Sequence, residues 1–181
     1  VFTEGKTTLK NCAKEPEVVE LANFLNKCGA SIHGAGESTI EITGVDSLGS
    51  VEWDVLFDRI EAGTYLVAGA ITNGHITVKK IEPKTIQVLT NKLIEMGVNV
   101  SYGENWVEAD ATSSEITCVD IDTEPFPGFP TDMQAQFMAL NTIATGSCTI
   151  EETVFENRFQ HVSQLRKMGA DIVSVSYTHL T

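Results

Sequence analysis

Short alternating stretches and longer helical ones follow one another along this chain in a fixed order. Polar and apolar residues alternate in Thr8-Leu9-Lys10-Asn11, in IEITGV (40 to 45) and in WVEADA (106 to 111). A period of two is the pattern of a half-buried strand. Between these lie segments whose apolar residues return every three or four positions. Val18, Leu21 and Leu25 form one such stripe, and Ile86, Leu89 and Leu93 another. Both segments are expected to be helices with those residues in the core. FDRIEAGTYLVAGAI and PTDMQAQFMALNTIA read as two further helices, the second carried by Met133, Phe137 and Leu140. HGAGES has the look of a phosphate loop, but it lacks a third glycine at dinucleotide spacing and leads into a strand, so a hairpin turn is expected.

The order itself repeats. TEGKTTLKNCAKEPEVVELANFLNKCGASI starts at residue 3, TNGHITVKKIEPKTIQVLTNKLIEMGVNV at residue 72 and ATGSCTIEETVFENRFQHVSQLRKMGADI at residue 144. Each opens on a glycine turn, passes through a strand and a helix, and closes on a glycine. The spans Gly5 to Gly29, Gly74 to Gly97 and Gly146 to Gly169 are 24, 23 and 23 residues. A closing glycine at that place suits a left-handed helix C-cap. The unit thus reads strand, helix, two strands, helix: an α/β architecture in which helices cover one face of several small mixed sheets. Both ends look cut. Val1 is no initiator, the first unit lacks its leading helix, and the third stops after GADIVSV without a return strand. The expected division is residues 1–56 for the end of one domain, 57–175 for two units of a second, and 176–181, including SYTHLT, for a tail of foreign sequence.

The third unit breaks the pattern in two places. Arg158 stands where the first two units carry Val18 and Ile86, and His161 where they carry Leu21 and Leu89, while Leu165 keeps the apolar slot of Leu25 and Leu93. A charge in such a slot needs an opposite charge or a solvent-filled cleft. Arg158 is therefore expected in a structural ion pair or in a functional site, and His161 as a satisfied boundary residue. An acid stands in an adjacent element, Asp132. In FPGFPTDMQAQFMAL, Pro127 and Pro130 hold the approach to a helix extended. Thr131 is expected to cap that helix, with Gln134 completing a capping box. Asp132 falls in the first turn, near the positive end of the helix dipole. Ordinary capping explains an acid there as well as function does. The helices carrying Asp132 and Arg158 flank the strand Cys148-Thr149-Ile150, which places a polar site at one end of the third unit.

Composition narrows the classes. Lys and Arg number 12 against 25 Asp and Glu, a net charge of −13 that argues against a nucleic-acid surface. At 181 residues and 42% hydrophobic the chain can build a core for one or two domains, and no apolar run approaches the length of a membrane span. Cys12, Cys28, Cys118 and Cys148 show no ligand-like spacing. They are expected as buried free thiols in a reducing cytoplasm, with no metal site.

FPTDMQAQF, ETVFENRF and EPEVVELANFLNKCGA, with FDRIEAGTYLVAGAI between them, resemble the enolpyruvyl transferases, and within them the UDP-N-acetylglucosamine 1-carboxyvinyltransferase family of peptidoglycan synthesis. The resemblance runs from residue 1 to about 173. It implies two similar domains of βαβαββ units in an inside-out α/β barrel, a crossing between domains near Leu56-Phe57-Asp58, and substrates held in the cleft between them. The reaction implied is attack of the 3-hydroxyl of UDP-N-acetylglucosamine on C2 of phosphoenolpyruvate, followed by loss of phosphate. It implies a cytoplasmic enzyme with no cofactor, metal, nucleic-acid or membrane partner. Asp132 matches the acid that holds the 3-hydroxyl and is the favoured base. Val154 matches a residue whose backbone contacts the sugar nucleotide, and Arg158 an arginine expected to give electrostatic support. Glu15, Asp58 and Arg59 match polar residues lining the cleft. The family's Lys-Asn pair, reactive-cysteine loop and phosphoenolpyruvate-holding arginines match nothing here, so the segment alone is expected to be inactive. Lys14, where many relatives carry arginine, is a mild departure. Two alternatives remain: the 3-phosphoshikimate enzyme of the same class, disfavoured by the TDMQAQ and VFENR blocks, and a non-catalytic binding domain, disfavoured by retention of Asp132 and Arg158.

Overall fold

The computed structural model describes residues 1–175; the tail SYTHLT, expected to be foreign, lies outside them. The chain forms two compact units, Val1–Asp58 with Pro125–Pro127, and Arg59–Glu124 with Gly128 onward.

The first unit contains β1 (Lys6–Lys10), α1 (Pro16–Lys27), β2 (Ser31–His33) and β3 (Thr39–Thr43). HGAGES is the turn between β2 and β3, as its sequence predicts. The strands lie in the order β1-β3-β2, each neighbour antiparallel, with Leu9 opposite Ile40 and Ile32 opposite Ile42. Ala22 of α1 packs with Ile32 and Ile40, with Val18 and Leu25 half-buried beside them. Leu21, expected in the core, is 57% exposed. Val18, Ala22 and Leu25 follow the i, i+4, i+7 stripe, so the inward face centres on Ala22 and Leu21 falls on its flank.

The second unit contains α2 (Arg59–Ile71), β4 (His75–Lys79), α3 (Gln87–Glu95), β5 (Asn99–Tyr102), β6 (Trp106–Asp110), β7 (Ile121–Asp122), α4 (Gln134–Asn141), β8 (Ile150–Glu151) and α5 (Val162–Lys167). Its three-stranded sheet repeats the first, in the antiparallel order β4-β6-β5, while β7 and β8 pair in parallel with Ile121 opposite Ile150. The three-stranded sheets are therefore antiparallel ladders, where mixed sheets were expected. In each, a helix carries the chain between two strands of like direction, and the hairpin partner of the second inserts between them. β7 and β8, joined across α4, meet directly as a parallel pair, and such strands need a crossover of this kind.

Leu66 of α2, Ile86, Leu89 and Leu93 around α3, and Met133, Phe137 and Leu140 at α4 are fully buried and form the core of this unit. Gly63 sets how closely the helices approach: a Cβ there would lie 2.6 Å from Leu89 Cδ1 and 3.1 Å from Met133 Cε. No helix among the described residues is long and apolar enough to cross a membrane.

The helix ends carry the repeat most faithfully. Gly29, Gly97 and Gly169 have φ of 107°, 98° and 101°, values that a residue with a Cβ adopts only under strain. The amides of Ala30, Val98 and Ala170 donate to the carbonyls of Leu25, Leu93 and Leu165, and those of the three glycines to Asn26, Ile94 and Arg166. These two bonds define a Schellman motif, made three times.

Two asparagines extend strand-like pairing to side chains. The Asn26 carboxamide accepts from the Ile32 amide at 2.8 Å and donates to its carbonyl at 2.7 Å. Asn141 holds Val119 in the same way, at 3.2 and 3.0 Å, in a fully buried setting. Asn141→Ala would take the carboxamide from both backbone groups of Val119, leaving its amide only the Cys148 sulfur. At about 1–3 kcal/mol for each buried unpaired group, a loss of roughly 2–4 kcal/mol is expected. Hydrogen exchange should show the Val119 amide newly open. A protected amide and an unchanged unfolding midpoint would show that the pinning contributes nothing.

Candidate active site

Proline geometry delivers the chain to the site. Pro130 is extended, at φ −70° and ψ 130°, and the next residues wind into a 3-10 turn, Thr131–Met133, that runs on into α4. Neither the turn nor the helix has a side-chain cap, so the expected capping box is absent. Thr131 and Gln134 turn instead to Glu152, Oγ1 donating to its Oε2 at 2.7 Å and Nε2 to the same oxygen at 3.0 Å. A capping box would use both side chains as acceptors of backbone amides; here both donate to an ionised carboxylate, in charge-assisted bonds that are stronger than neutral ones.

Glu152 collects three more donors on Oε1: the Thr123 hydroxyl at 2.9 Å and the amides of Val154 and Phe155, both at 3.0 Å. Burial works against its charge, but these bonds, led by Thr131 and the Phe155 amide, outweigh it and hold the carboxyl below its ordinary pKa. Glu152 was not singled out from sequence. Its donors come from residues 18 to 29 positions away as well as from its own i+2 and i+3 amides. Only that local pair was readable, in the acid that opens ETVF.

Asp132 caps nothing and instead meets Arg158. Nη2 of Arg158 donates to Asp132 Oδ1 at 2.5 Å, and Nη1 to the Thr131 hydroxyl at 3.1 Å. The guanidinium also lies 5.1 Å from the centre of the Phe155 ring, within cation–π range. The pair is open to solvent, with side chains 36% and 56% exposed. Arg158 does not occupy the helical slot of Val18 and Ile86. The third helix is only Val162–Lys167, and the preceding residues unwind to bring the guanidinium to Asp132 and Thr131.

His161, expected to be satisfied, is not: its Nε2 is buried with no hydrogen-bond partner. Burial, then the charge of Arg158, push its pKa below the ordinary histidine value. His161 and Arg158 line a shallow depression with Phe155, Glu156, Asn157 and Gln160. Val154 stands two residues from Glu152 with its amide committed to that carboxylate, so a backbone contact to a ligand would come from its carbonyl. Asp132, Arg158 and Val154 are thus brought together. Glu15 belongs to the first unit, where it is the N-cap of α1 and leaves Oε2 buried without a partner. Asp58 is the last residue before α2 and Arg59 its first.

The four cysteines are free and half-buried, less enclosed than expected. Cys118 and Cys148 line a cavity of about 570 Å³ with Asn141, Phe159 and Val162. Burial, then a hydrogen bond with Cys118, pushes the Cys148 thiol up to about 11, so it is protonated and unreactive at neutral pH.

A family model for EPSP synthase (3-phosphoshikimate 1-carboxyvinyltransferase) matches residues 1–178. Over 171 residues the chain is 57% identical to the UDP-N-acetylglucosamine 1-carboxyvinyltransferase of Coxiella burnetii, covering 94% of this chain and 39% of that protein. Its structure is similar to the crystal structure of the enolpyruvyl transferase NikO from Streptomyces tendae. There the TM-score is 0.78 at 27% identity, over 91% of this chain and 39% of that one. The chain therefore spans about two fifths of the length of these relatives. The thrice-made helix end, the paired antiparallel sheets and a family match over nearly every residue have one explanation: the chain belongs to the EPSP synthase family of enolpyruvyl transferases.

Proposed function

We propose that the full-length protein carrying this chain transfers the enolpyruvyl group of phosphoenolpyruvate to the 3-hydroxyl of UDP-N-acetylglucosamine and releases phosphate, the committed step of peptidoglycan synthesis. The observation that carries the reading is the Asp132 carboxylate at the entrance of α4. One of its oxygens is fixed by Arg158, which leaves the other to accept a hydroxyl proton. The acceptor follows from the relative that is 57% identical.

In the proposed reaction the sugar hydroxyl adds to C2 while C3 gains a proton from solvent, and Asp132 takes the hydroxyl proton as the new C–O bond forms. The tetrahedral intermediate then expels phosphate as C3 returns its proton to solvent, and the proton held by Asp132 leaves with the phosphate. Arg158 supplies positive charge beside two anionic substrates in a chain of net charge −13. The reading needs small-molecule partners only and no cofactor, nucleic acid or membrane, and it sets the protein in the cytoplasm. It makes the stretch near Leu56-Phe57-Asp58 the crossing between domains, and Glu15, Asp58 and Arg59 polar residues of the cleft.

Phosphate release with both substrates tests it. The full-length protein should turn over with UDP-N-acetylglucosamine and stay silent when shikimate 3-phosphate replaces it, and the 181-residue segment alone should release none. Turnover with shikimate 3-phosphate would transfer the protein to the other branch of its family, and silence with both acceptors would favour a binding role.

A further inference from the structure

Glu152 is the most heavily hydrogen-bonded side chain of the site, yet it sits behind Asp132 and Arg158 and not between them. Its ionised carboxylate can only accept. Thr131 has a single hydroxyl hydrogen, and its oxygen already accepts from Arg158 Nη1 at 3.1 Å. That hydrogen is therefore aimed at Glu152 Oε2, 2.7 Å away. The polarity of the chain is fixed from end to end: Glu152 orients the Thr131 hydroxyl, the hydroxyl presents its lone pair to Arg158, and the other Arg158 nitrogen grips Asp132 Oδ1.

We infer that Glu152 is a positioning residue for Asp132, acting through the Thr131 hydroxyl and Arg158, and that it never touches substrate. This rests on the proposed enolpyruvyl transfer. Glutamine is the informative replacement, because it keeps the shape and reverses one donor. Its amide nitrogen on the Oε1 side would face the Val154 and Phe155 amides, which are donors too. On the Oε2 side it would face Gln134 and the Thr131 hydroxyl. The second orientation can be partly repaired. Gln134 Oε1 is buried and unpartnered, so a flipped Gln134 amide would accept from the new nitrogen. Thr131 could then only accept, from Arg158 and from the new amide at once, and its hydrogen would lose its acceptor. The damage thus concentrates on the hydroxyl that aims Arg158.

Steady-state kinetics of phosphate release by the full-length protein test this, with Glu152→Gln, Thr131→Val, Thr131→Ser and the double variant Glu152→Gln/Thr131→Val. A displacement on the order of 1 Å at a reacting group can cost 10²-fold. Glu152→Gln and Thr131→Val should each lower kcat by at least about tenfold, with kcat/KM falling equally and KM nearly unchanged. Thr131→Ser, which restores the hydroxyl, should return most of the rate. The double variant should be no slower than the slower single one, because both break the same relay. Thr131→Val at the parent kcat, failure of serine to rescue, or losses that multiply in the double variant would each overturn the inference and leave the proposed reaction standing. Should Glu152→Gln fail to fold, the valine and serine variants decide alone. An unsubstituted protein that releases no phosphate overturns the proposed reaction, and this inference with it.

Discussion

Asp132→Asn in the full-length protein should leave the fold and the melting temperature intact and lower turnover by roughly 10²-fold or more, the usual range for losing a positioned acid–base group. The structure removes the competing explanation for this acid. A capping aspartate would accept a backbone amide, and asparagine would replace it almost fully. Asp132 accepts none, and both the 3-10 turn and α4 begin without a side-chain cap, so the helix start does not depend on it. Asparagine keeps an oxygen for Arg158 but cannot take up a proton. Sugar-nucleotide binding, followed by calorimetry, should weaken only modestly, because the amide still accepts or donates to a hydroxyl. A variant that retains more than about a tenth of the parent rate, with both substrates saturating, would end the assignment of Asp132 as base.

The parts of this molecule that were legible in the sequence are those set by local chemistry. A glycine four residues beyond the apolar slot of Leu25, Leu93 and Leu165 is a statement about φ, and Gly29, Gly97 and Gly169 all keep it. Alternation predicted β3 and β6, whose residues pair as the pleat requires. Leu21 misled because helical spacing fixes a stripe but not its centre, and a unit with a small core needs only a narrow face buried. The third helix misled for another reason. Its register was carried over from two apolar helices, whereas Arg158 lies ahead of the third helix and reaches Asp132 and Thr131 instead. Glu152 was hidden because its meaning lies in Thr123, Thr131 and Gln134, residues that no period links to it. Thr131 and Gln134 had a sound local reading as a capping box, and the Glu152 carboxylate just beyond β8 overrode it. Asp132 and Arg158 were seen as converging because each stood out alone, one as an acid after prolines and one as a charge in an apolar slot.

Arg158→Met separates the two readings the sequence left open, an ion pair that holds the fold and an arginine that serves a site. The structure shows the pair, and shows it exposed on both sides. A solvent-exposed pair contributes about 0–1 kcal/mol, against roughly 3–5 kcal/mol for breaking a buried one. The melting temperature should therefore move by only a few degrees, about 2–4 °C for each kcal/mol at this size. Turnover should fall by about 10²-fold, the scale for removing one preorganised charge or donor from a reacting centre. His161 reports the same substitution independently. Burial is the larger cause of its lowered pKa and the Arg158 charge the smaller. In Arg158→Met an NMR titration should find the His161 pKa raised, yet still short of the ordinary value of about 6.5. A histidine held neutral in this way stabilises the fold above its unfolded pKa, and that contribution is lost as the pH falls through the folded value. The variant, with the smaller depression, should lose less stability on acidification. A fall in melting temperature of more than about 10 °C would make Arg158 a structural residue. An unmoved His161 titration would mean that the guanidinium does not lie beside that ring in solution.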